Sequence, residues 1–221
     1  ALRNVTVPPG IDGKLDAQIR LNVPLSETPS LAEARYESKV RITDGRVKNI
    51  VGSHDITAAT ITVDATEKSV DLKGELMLAG VLAKLNSQWI AGAADGSQPP
   101  VRIVARLDAA DRNQLGLDLE HIVQGEVPVE VAIQHGGGGD PKVHFSADLT
   151  SAELTLDDLN WQKPTGRVAK LNFDVAKGRT GKGFELQNFK LVGENIAIDG
   201  WVGLGADGKP REYHFPEFSL N

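Results

Sequence analysis

The stretch Val143-His-Phe-Ser-Ala-Asp-Leu149 alternates apolar and polar side chains without interruption. Alternation with a period of two places every second side chain on the same face of a β-strand. The same pattern recurs in stretches that carry Val129, Val131 and Ile133; Leu154 and Leu156; Leu171, Phe173 and Val175; and Ile196 and Ile198. Short Gly-rich turns separate these runs, which favours a meander of antiparallel strands with one apolar and one polar face.

The first hundred residues carry the same alternation, beginning with Leu15, Ala17, Ile19, Leu21 and Val23. A second run contains Val40 and Ile42 and is predicted to turn at Asp44-Gly45, a dipeptide typical of hairpins. The linker Gly92-Ala-Ala-Asp-Gly-Ser-Gln-Pro-Pro100 is small, polar and closed by two prolines. We therefore expect a β-rich N-terminal part over residues 1–100 and a β-meander over residues 101–221.

Two helices interrupt the predicted strands. Apolar residues spaced by four, three and four positions predict an amphipathic helix near residues 78–90, namely Leu78, Leu82, Leu85 and Trp89. Asp108 is a good N-cap and Gly116 a good stop, so a short helix is expected near residues 108–116. The predicted fold is mainly β: an antiparallel meander that forms a curved, groove-like sheet with one or two short helices.

Composition excludes several classes of protein. A net charge of −6 and 24 scattered basic residues argue against nucleic-acid binding. The chain has no cysteine, which excludes disulfides, Cys-based zinc sites and a cysteine nucleophile. The sequence contains no run of the roughly 18–20 apolar residues that a helix needs to span a bilayer. The sequence opens on Ala1 and closes within an alternating run, so we expect a segment of a longer protein whose anchor lies outside it.

The residues that usually carry chemistry show no useful arrangement. The histidines have no metal-ligand spacing: His54, His121, His135, His144 and His214. Asp157 and Asp158 could be read as a carboxylate pair for acid–base catalysis. They are adjacent and therefore point to different sides of the chain, so they would not share a substrate. Gly178-Arg-Thr-Gly-Lys-Gly183 lacks the spacing and the Ser or Thr of a phosphate-binding loop. We expect no catalytic residue, no metal and no cofactor.

From residue 101 onward several stretches resemble a known family. They are Leu107-Asp-Ala-Ala-Asp-Arg-Asn-Gln-Leu-Gly-Leu-Asp-Leu119, Gly125-Glu-Val-Pro-Val129, Leu149-Thr-Ser-Ala-Glu-Leu-Thr-Leu156, Trp161-Gln-Lys-Pro-Thr-Gly166 and Leu191-Val-Gly-Glu-Asn-Ile-Ala-Ile-Asp-Gly200. Together they resemble the AsmA-like proteins of Gram-negative envelopes, and the Trp161 stretch looks like the turn of the YhdP-type branch. The first hundred residues resemble the family only in their general pattern of strands and turns.

The resemblance implies a localisation and a function. AsmA-like proteins are anchored in the inner membrane, extend through the periplasm and are similar to bridge-like lipid-transfer proteins. The resemblance therefore implies that this chain is a non-enzymatic, periplasmic segment. The segment would shield phospholipid acyl chains during inner-to-outer membrane lipid transport and outer membrane biogenesis. The implied partners are phospholipid acyl chains, the inner membrane through an anchor outside this sequence, and other envelope proteins, with no nucleic acid.

The candidate groove residues are the alternating apolar sets: Val129, Val131, Ile133, Val143, Phe145, Leu154, Leu156, Leu171, Phe173, Val175, Leu186, Ile196 and Ile198. The same pattern arises in the core of a closed β-sandwich, where two sheets pack face to face. The resemblance favours an open groove over that closed core. A structural or assembly scaffold of the bacterial envelope, acting through protein–protein contacts, is the alternative function.

Overall fold

The computed structural model describes residues 11–23, 35–51, 54–94, 96–134, 140–178 and 183–220. The chain divides into two compact units, Ala1–Pro99 and Pro100–Asn221. The boundary therefore lies within the two prolines that close the predicted linker. Both units consist mainly of antiparallel β-strands, and the described residues contain one short α-helix. The predicted fold class, a mainly β antiparallel meander with one or two short helices, is confirmed.

The first unit is a meander in which each strand pairs with the strand before it. Its strands are β1 (Ile11–Asn22), β2 (Arg35–Val51), β3 (His54–Thr66), β4 (Ser69–Leu78) and β5 (Val81–Ile90). Register places Ala17 opposite Val40, Val40 opposite Val63, and Val63 opposite Leu72. Because residues that lie opposite each other share a face, the alternation in the sequence becomes one apolar side of this sheet.

The amphipathic helix predicted near residues 78–90 is wrong. This segment is the end of β4 and the whole of β5, which pair in register from Leu78 and Val81 outward. Ala79 and Gly80, with φ of 49° and 83°, form the two-residue turn between the strands. Leu82, which completed the helical spacing, lies on the side opposite Val81 and Ala83 and is 54% exposed.

The hairpin predicted at Asp44-Gly45 is also wrong. Strand β2 continues through these residues to Val51, with a register shift between Ile42 and Gly45 against β3. Asp44 has a positive φ of 54°. A Cβ added at Gly45 would lie 3.0 Å from the Cβ of Ala59, so the glycine permits a close approach of the two strands. The dipeptide therefore bends a strand, as a β-bulge does, instead of ending it.

The second unit contains one large and one small antiparallel sheet. The large sheet has seven strands in the order β6 (Val101–Leu107), β8 (Val127–Gln134), β9 (Lys142–Asp148), β12 (Ala169–Lys177), β13 (Phe184–Gly193), β14 (Ile196–Leu204) and β15 (Pro210–Leu220). The small sheet has the order β11 (Trp161–Lys163), β10 (Glu153–Leu156) and β7 (Val123–Gln124). Strands β6 and β15 do not pair with each other, so the seven strands form an open sheet.

The one α-helix of the described residues, α1 (Ala109–Gln114), follows β6 and confirms the helix predicted near residues 108–116. The Asp108 carboxylate accepts a hydrogen bond from the Asp111 backbone N–H at 2.9 Å, and the Asp111 carboxylate accepts one from the Asp108 backbone N–H at 3.1 Å. This capping box satisfies two donors at the start of the helix. A 3-10 turn spans Asp157–Leu159.

The alternation of apolar residues shifts phase between Leu186 and Phe189, which predicts a β-bulge near Gln187-Asn188, and the structure confirms it. Register against β14 shifts between Leu186 and Phe189, and Asn188 has a positive φ of 51°. The extra residue keeps Phe189 and Leu191 on the same side of the sheet as Leu186. Residues 179–182 of the Gly178–Gly183 stretch lie outside the described residues.

Candidate functional site: an apolar sheet face

The apolar face of the second unit is the side of its seven-stranded sheet to which every strand contributes apolar residues. Val131 of β8 lies opposite Phe145 of β9, and Phe145 lies opposite Phe173 of β12. The same register extends to both ends of the sheet. The face comprises Val101, Ile103, Ala105, Leu107, Val127, Val129, Val131, Ile133, Val143, Phe145, Ala147, Ala169, Leu171, Phe173, Val175, Leu186, Phe189, Leu191, Ile196, Ile198, Val202, Tyr213, Phe215, Phe218 and Leu220.

Aromatic rings form a ladder across this face. Phe145 and Phe173 stack with ring centroids 4.6 Å apart, and Phe173 stacks on Phe189 at 6.3 Å. Phe189 contacts Phe215 of β15 at 5.5 Å, and Phe215 stacks on Tyr213 at 5.9 Å. Ring pairs at these separations stabilise each other beyond their burial. The ladder runs across the strands and therefore along the length of the sheet.

Gly200 makes the ladder continuous across β14. It lies opposite Phe189, and a Cβ at this position would be 1.9 Å from the backbone oxygen of His214 and 2.9 Å from the Phe215 ring. No side chain fits in that space. The Phe215 ring consequently reaches over β14 to contact Phe189, two strands away.

One margin of the apolar face is covered by the small sheet. Leu154 of β10 is buried in a cluster with Val127, Ala147, Leu149, Ala152 and Ala169, and Val123 and Trp161 pack against it. Val129, Phe145, Leu171 and Leu191 of the large sheet border the same cluster. Leu107, Ile196 and Ile198 are also buried, most of the other positions are half-buried, and Tyr213 and Phe218 of the last strand are 72% and 49% exposed. Among the described elements of the second unit, only the small sheet, α1 and the 3-10 turn at Asp157–Leu159 lie outside the large sheet.

Two buried cations hold the covering elements in place. The Arg112 guanidinium donates to the backbone oxygens of Leu107, Gly125 and Val123 at 2.8–3.0 Å. The Lys163 ammonium donates to the backbone oxygens of Ala152, Pro164 and Arg167 at 2.7–3.0 Å. Burial lowers the pKa of Lys163 below its ordinary value. Each cation replaces water for three backbone acceptors, so both fix the small sheet at the margin.

The opposite face of the large sheet is polar. Cross-strand ion pairs join Arg102 to Glu130, and Lys190 to Asp199 at 3.1 Å. Asp174 accepts hydrogen bonds from the Asn188 amide at 2.7 Å and meets the His144 ring at 2.8 Å. The Asn188 contact, with a smaller contribution from His144, lowers the pKa of Asp174. One side of the sheet thus suits water and the other apolar material.

The structure brings most of the predicted groove residues together. Eleven of them lie on the apolar face: Val129, Val131, Ile133, Val143, Phe145, Leu171, Phe173, Val175, Leu186, Ile196 and Ile198. Leu154 and Leu156 do not, because their strand β10 belongs to the small sheet that covers the margin. Sequence reasoning left Phe189 and Phe215 out of the set, although both stand in alternating runs beside a phase change.

Within the described ranges, no group of three or more His, Asp or Glu side chains is placed to hold a metal ion. None of the helical residues described makes a stretch long and apolar enough to cross a bilayer. The fold and the face define an open antiparallel β-sheet protein with one apolar side. Comparisons of the chain with protein-family models, with curated proteins and with solved structures found no match.

Proposed function

We propose that this chain is a non-enzymatic, periplasmic segment of an inner-membrane-anchored envelope protein, and that its apolar face shields phospholipid acyl chains on their way between membranes. The observation that supports the proposal is the unbroken apolar row through all seven strands, covered at one margin by the small sheet. A contiguous apolar surface that is open to solvent typically marks a binding surface. The resemblance to AsmA-like proteins supports the compartment and the cargo.

The free energy of exposing acyl chains to water is the barrier that the apolar face must offset. Exposing an acyl chain costs about 0.8 kcal/mol for each methylene, or about 12 kcal/mol for a chain of roughly sixteen carbons. A contiguous apolar surface removes most of that cost without recognising a headgroup. The transport proposal therefore requires continuity of the face more than any single contact.

The dimensions of the sheet match an acyl chain. Strands lie about 4.8 Å apart, so seven strands extend for about 29 Å. The hydrocarbon of one bilayer leaflet is about 15 Å thick, half of a core of about 30 Å. A chain lying along the aromatic ladder, across the strands, therefore fits within the second unit with room for its ends.

Substitution of Phe173 tests the proposal. Phe173→Glu places a charge in the middle of the face, whereas Asn172→Glu places the same charge one residue away on the polar side. We expect the first variant to lose co-purifying lipid and binding of a fluorescent fatty acid by about tenfold or more, because a buried unpaired carboxylate is costly. The second variant should bind as the unmodified chain does.

A second variant keeps the test informative if Phe173→Glu does not fold. Ile133→Glu changes the same face at a different strand, β8, where Ile133 lies between Val101 and Val143. Circular dichroism shows whether each variant retains its strands. Lipid binding that survives in a folded Phe173→Glu and a folded Ile133→Glu protein, or absence of lipid from the natively purified chain, would contradict the proposal.

A scaffold role is the second candidate, and strand β1 favours it. Among the described residues β1 pairs only with β2, and its side chains Leu15, Ile19 and Leu21 are 66–71% exposed. An exposed apolar edge strand is a template for strand addition by another protein. Ile19→Lys should then abolish capture of a protein partner and leave lipid binding intact, whereas Phe173→Glu should do the reverse.

A further inference from the structure

Strand β1 is an exposed edge of the first unit's sheet. It comes first in the order of the strands and, among the described residues, pairs only with β2. Every residue from Asp12 to Val23 is exposed, whichever face of the strand it lies on. An edge strand presents backbone N–H and C=O groups that another strand can pair with by hydrogen bonding.

The backbone of β1 can form an uninterrupted ladder. From Lys14 to Asn22 it contains no proline, whereas β15, the last strand of the second unit, contains Pro210 and Pro216. Proline has no N–H to donate, and prolines on an edge strand hinder the addition of a further strand. Pairing between two copies of β1 is therefore less hindered than pairing between β1 and β15.

The charges of β1 are complementary to themselves when two copies run antiparallel about a two-fold axis at Gln18. In that register Asp16 of each copy lies opposite Arg20 of the other. A two-fold axis repeats every contact, so the register contains two pairs of opposite charge. Opposite charges that face each other across an antiparallel pair stabilise it. Among the described residues of a single chain, neither Asp16 nor Arg20 forms an ion pair.

The same register also matches the apolar residues of β1. Leu15 lies opposite Leu21, and Ala17 lies opposite Ile19, each pair again occurring twice. In the single chain Leu15, Ile19 and Leu21 are 66–71% exposed. Because these residues share one side of the strand, pairing joins the apolar sides of two first units into one continuous sheet, with five strands from each copy.

The neighbouring registers are less favourable. A slip of one residue places the apolar side chains of one strand beside the polar side chains of the other. Moving the two-fold axis to Ala17 places Lys14 opposite Arg20 twice, which is repulsive. Moving it to Ile19 places Asp16 opposite Asn22, so neither the carboxylate nor the guanidinium of Arg20 meets an opposite charge. The charges of β1 thus select one register.

We propose that the first unit forms an edge-to-edge dimer with a second copy of this chain, in which two β1 strands pair antiparallel about Gln18 and Asp16 meets Arg20 across the interface. The inference goes beyond the lipid-shielding function and does not depend on it, because the face assigned to acyl chains lies in the second unit. It names a copy of the chain itself as the partner of the β1 edge.

Exchange of charges on β1 tests the register. Sedimentation of the full chain over a series of concentrations measures the dissociation constant of the dimer. Asp16→Arg and Arg20→Asp should each weaken the dimer about tenfold or more, because each places like charges opposite each other at two positions. A mixture of the two variants should form a heterodimer, since opposite charges then meet at both positions. The double variant Asp16→Arg/Arg20→Asp should dimerise as the unmodified chain does.

Arg41→Asp is the matched control. Arg41 lies opposite Asp16 within the sheet, so this change creates a like-charge pair between β1 and β2 without altering any residue of β1. It should leave the dimer intact, and circular dichroism shows whether each variant retains its strands. Equal weakening by Arg41→Asp and Asp16→Arg, or failure of the two folded single variants to combine, would overturn the inference.

The unmodified chain decides the question even where a variant does not fold. A chain that stays monomeric at every concentration would overturn the dimer, whereas a concentration-dependent dimer that the double variant retains would support it. Lipid binding, which Phe173→Glu tests separately, is expected to be the same in the Asp16→Arg variant and the unmodified chain. Failure of the dimer and failure of the proposed function are therefore distinguishable.

Discussion

Gly200 is the residue on which the aromatic ladder depends. Gly200→Ala forces a Cβ to within 1.9 Å of the His214 backbone oxygen, so β14 and β15 must separate. We expect a loss of about 2 kcal/mol or more in unfolding free energy, as for other insertions into packed sites, measured by urea denaturation. Gly203→Ala in the same strand is the control, because its Cβ would meet its nearest neighbour at an ordinary 3.6 Å.

Lys163 stabilises the margin of the face through its ammonium group. Lys163→Met fills a similar volume but leaves the backbone oxygens of Ala152, Pro164 and Arg167 without their donor. Each unsatisfied buried acceptor costs about 1–3 kcal/mol, so a fall in Tm of about 5 °C or more is expected. Lys170→Met, at an exposed position of β12, should change Tm little; equal effects of the two would show that the buried hydrogen bonds are unimportant.

Which residues share the apolar face was largely predictable, and the exceptions have a physical reason. Val131 and Phe173 alternate with polar neighbours, and alternation alone assigns them to one side of a strand. Leu154 alternates equally well, yet its strand pairs into the small sheet. Alternation defines the side of a strand on which a residue lies but contains no information on which sheet that strand joins.

At the level of single elements, β5 shows where periodicity misleads. Leu82 faces solvent, and its presence beside Leu78 and Leu85 produced the spacing of a helix. The turn before it, Ala79-Gly80, places an alanine at a positive φ, where asparagine or aspartate is the usual signal. Pairing with β4 overrides the local pattern, because ten residues of β5 gain a hydrogen-bonded partner.

Asp44 illustrates the same limit in β2. Asp-Gly is a strong hairpin signal, but here the strand bends and continues, supported by the Lys14–Asp44 ion pair. A bulge and a hairpin use the same residue types because both need a positive φ. Whether a bulge or a hairpin forms depends on which strands pair on each side, and the Asp-Gly dipeptide alone does not determine that pairing.

The two sides of strand β8 should respond differently to lipid. Because the chain has no natural cysteine, Val131→Cys and Glu130→Cys each introduce a single labelling site, on the apolar and the polar face of β8 respectively. An environment-sensitive dye at residue 131 should shift its emission to shorter wavelength when phospholipid is added. The dye at residue 130 should not, and matching shifts at both sites would contradict binding on one face.

At the scale of the whole molecule, acidic residues set the dependence of stability on pH. Hydrogen bonds from Thr150 lower the pKa of Asp148, and the Asn188 amide lowers that of Asp174. A carboxyl whose pKa is lowered by folding stabilises the protein above its unfolded value of about 3.9, and that contribution is lost as pH falls through the folded pKa. We expect unfolding free energy to be nearly constant from pH 7 to about 5 and to fall below about 4.

Urea denaturation at a series of pH values measures this dependence. The variant Asp148→Asn/Asp174→Asn should be less stable than the unmodified chain at pH 7 and should show a shallower decline in acid, because two of the groups that take up protons are missing. An unchanged acid limb in the double variant would mean that other carboxylates determine acid unfolding.

The architecture of the whole chain followed from alternation and turn signals, but the exposure of its apolar side did not. A closed β-sandwich and an open sheet require the same sequence pattern in each strand. What distinguishes them is how much of the second layer exists, and in the second unit that layer consists of the short strands β7, β10 and β11 and the helix α1. The alternation of β10 and the cap of α1 are visible in the sequence, but neither shows that these elements form a second layer on the sheet.

The order of the seven strands has a consequence for how such a protein can change in length. With the sole exceptions of the segments between β6 and β8 and between β9 and β12, each strand lies beside its predecessor in the chain. Insertion or deletion of one hairpin would lengthen or shorten the sheet by about 10 Å and leave the remaining pairings untouched. The length of a sheet built in this way can therefore change in evolution by one hairpin at a time.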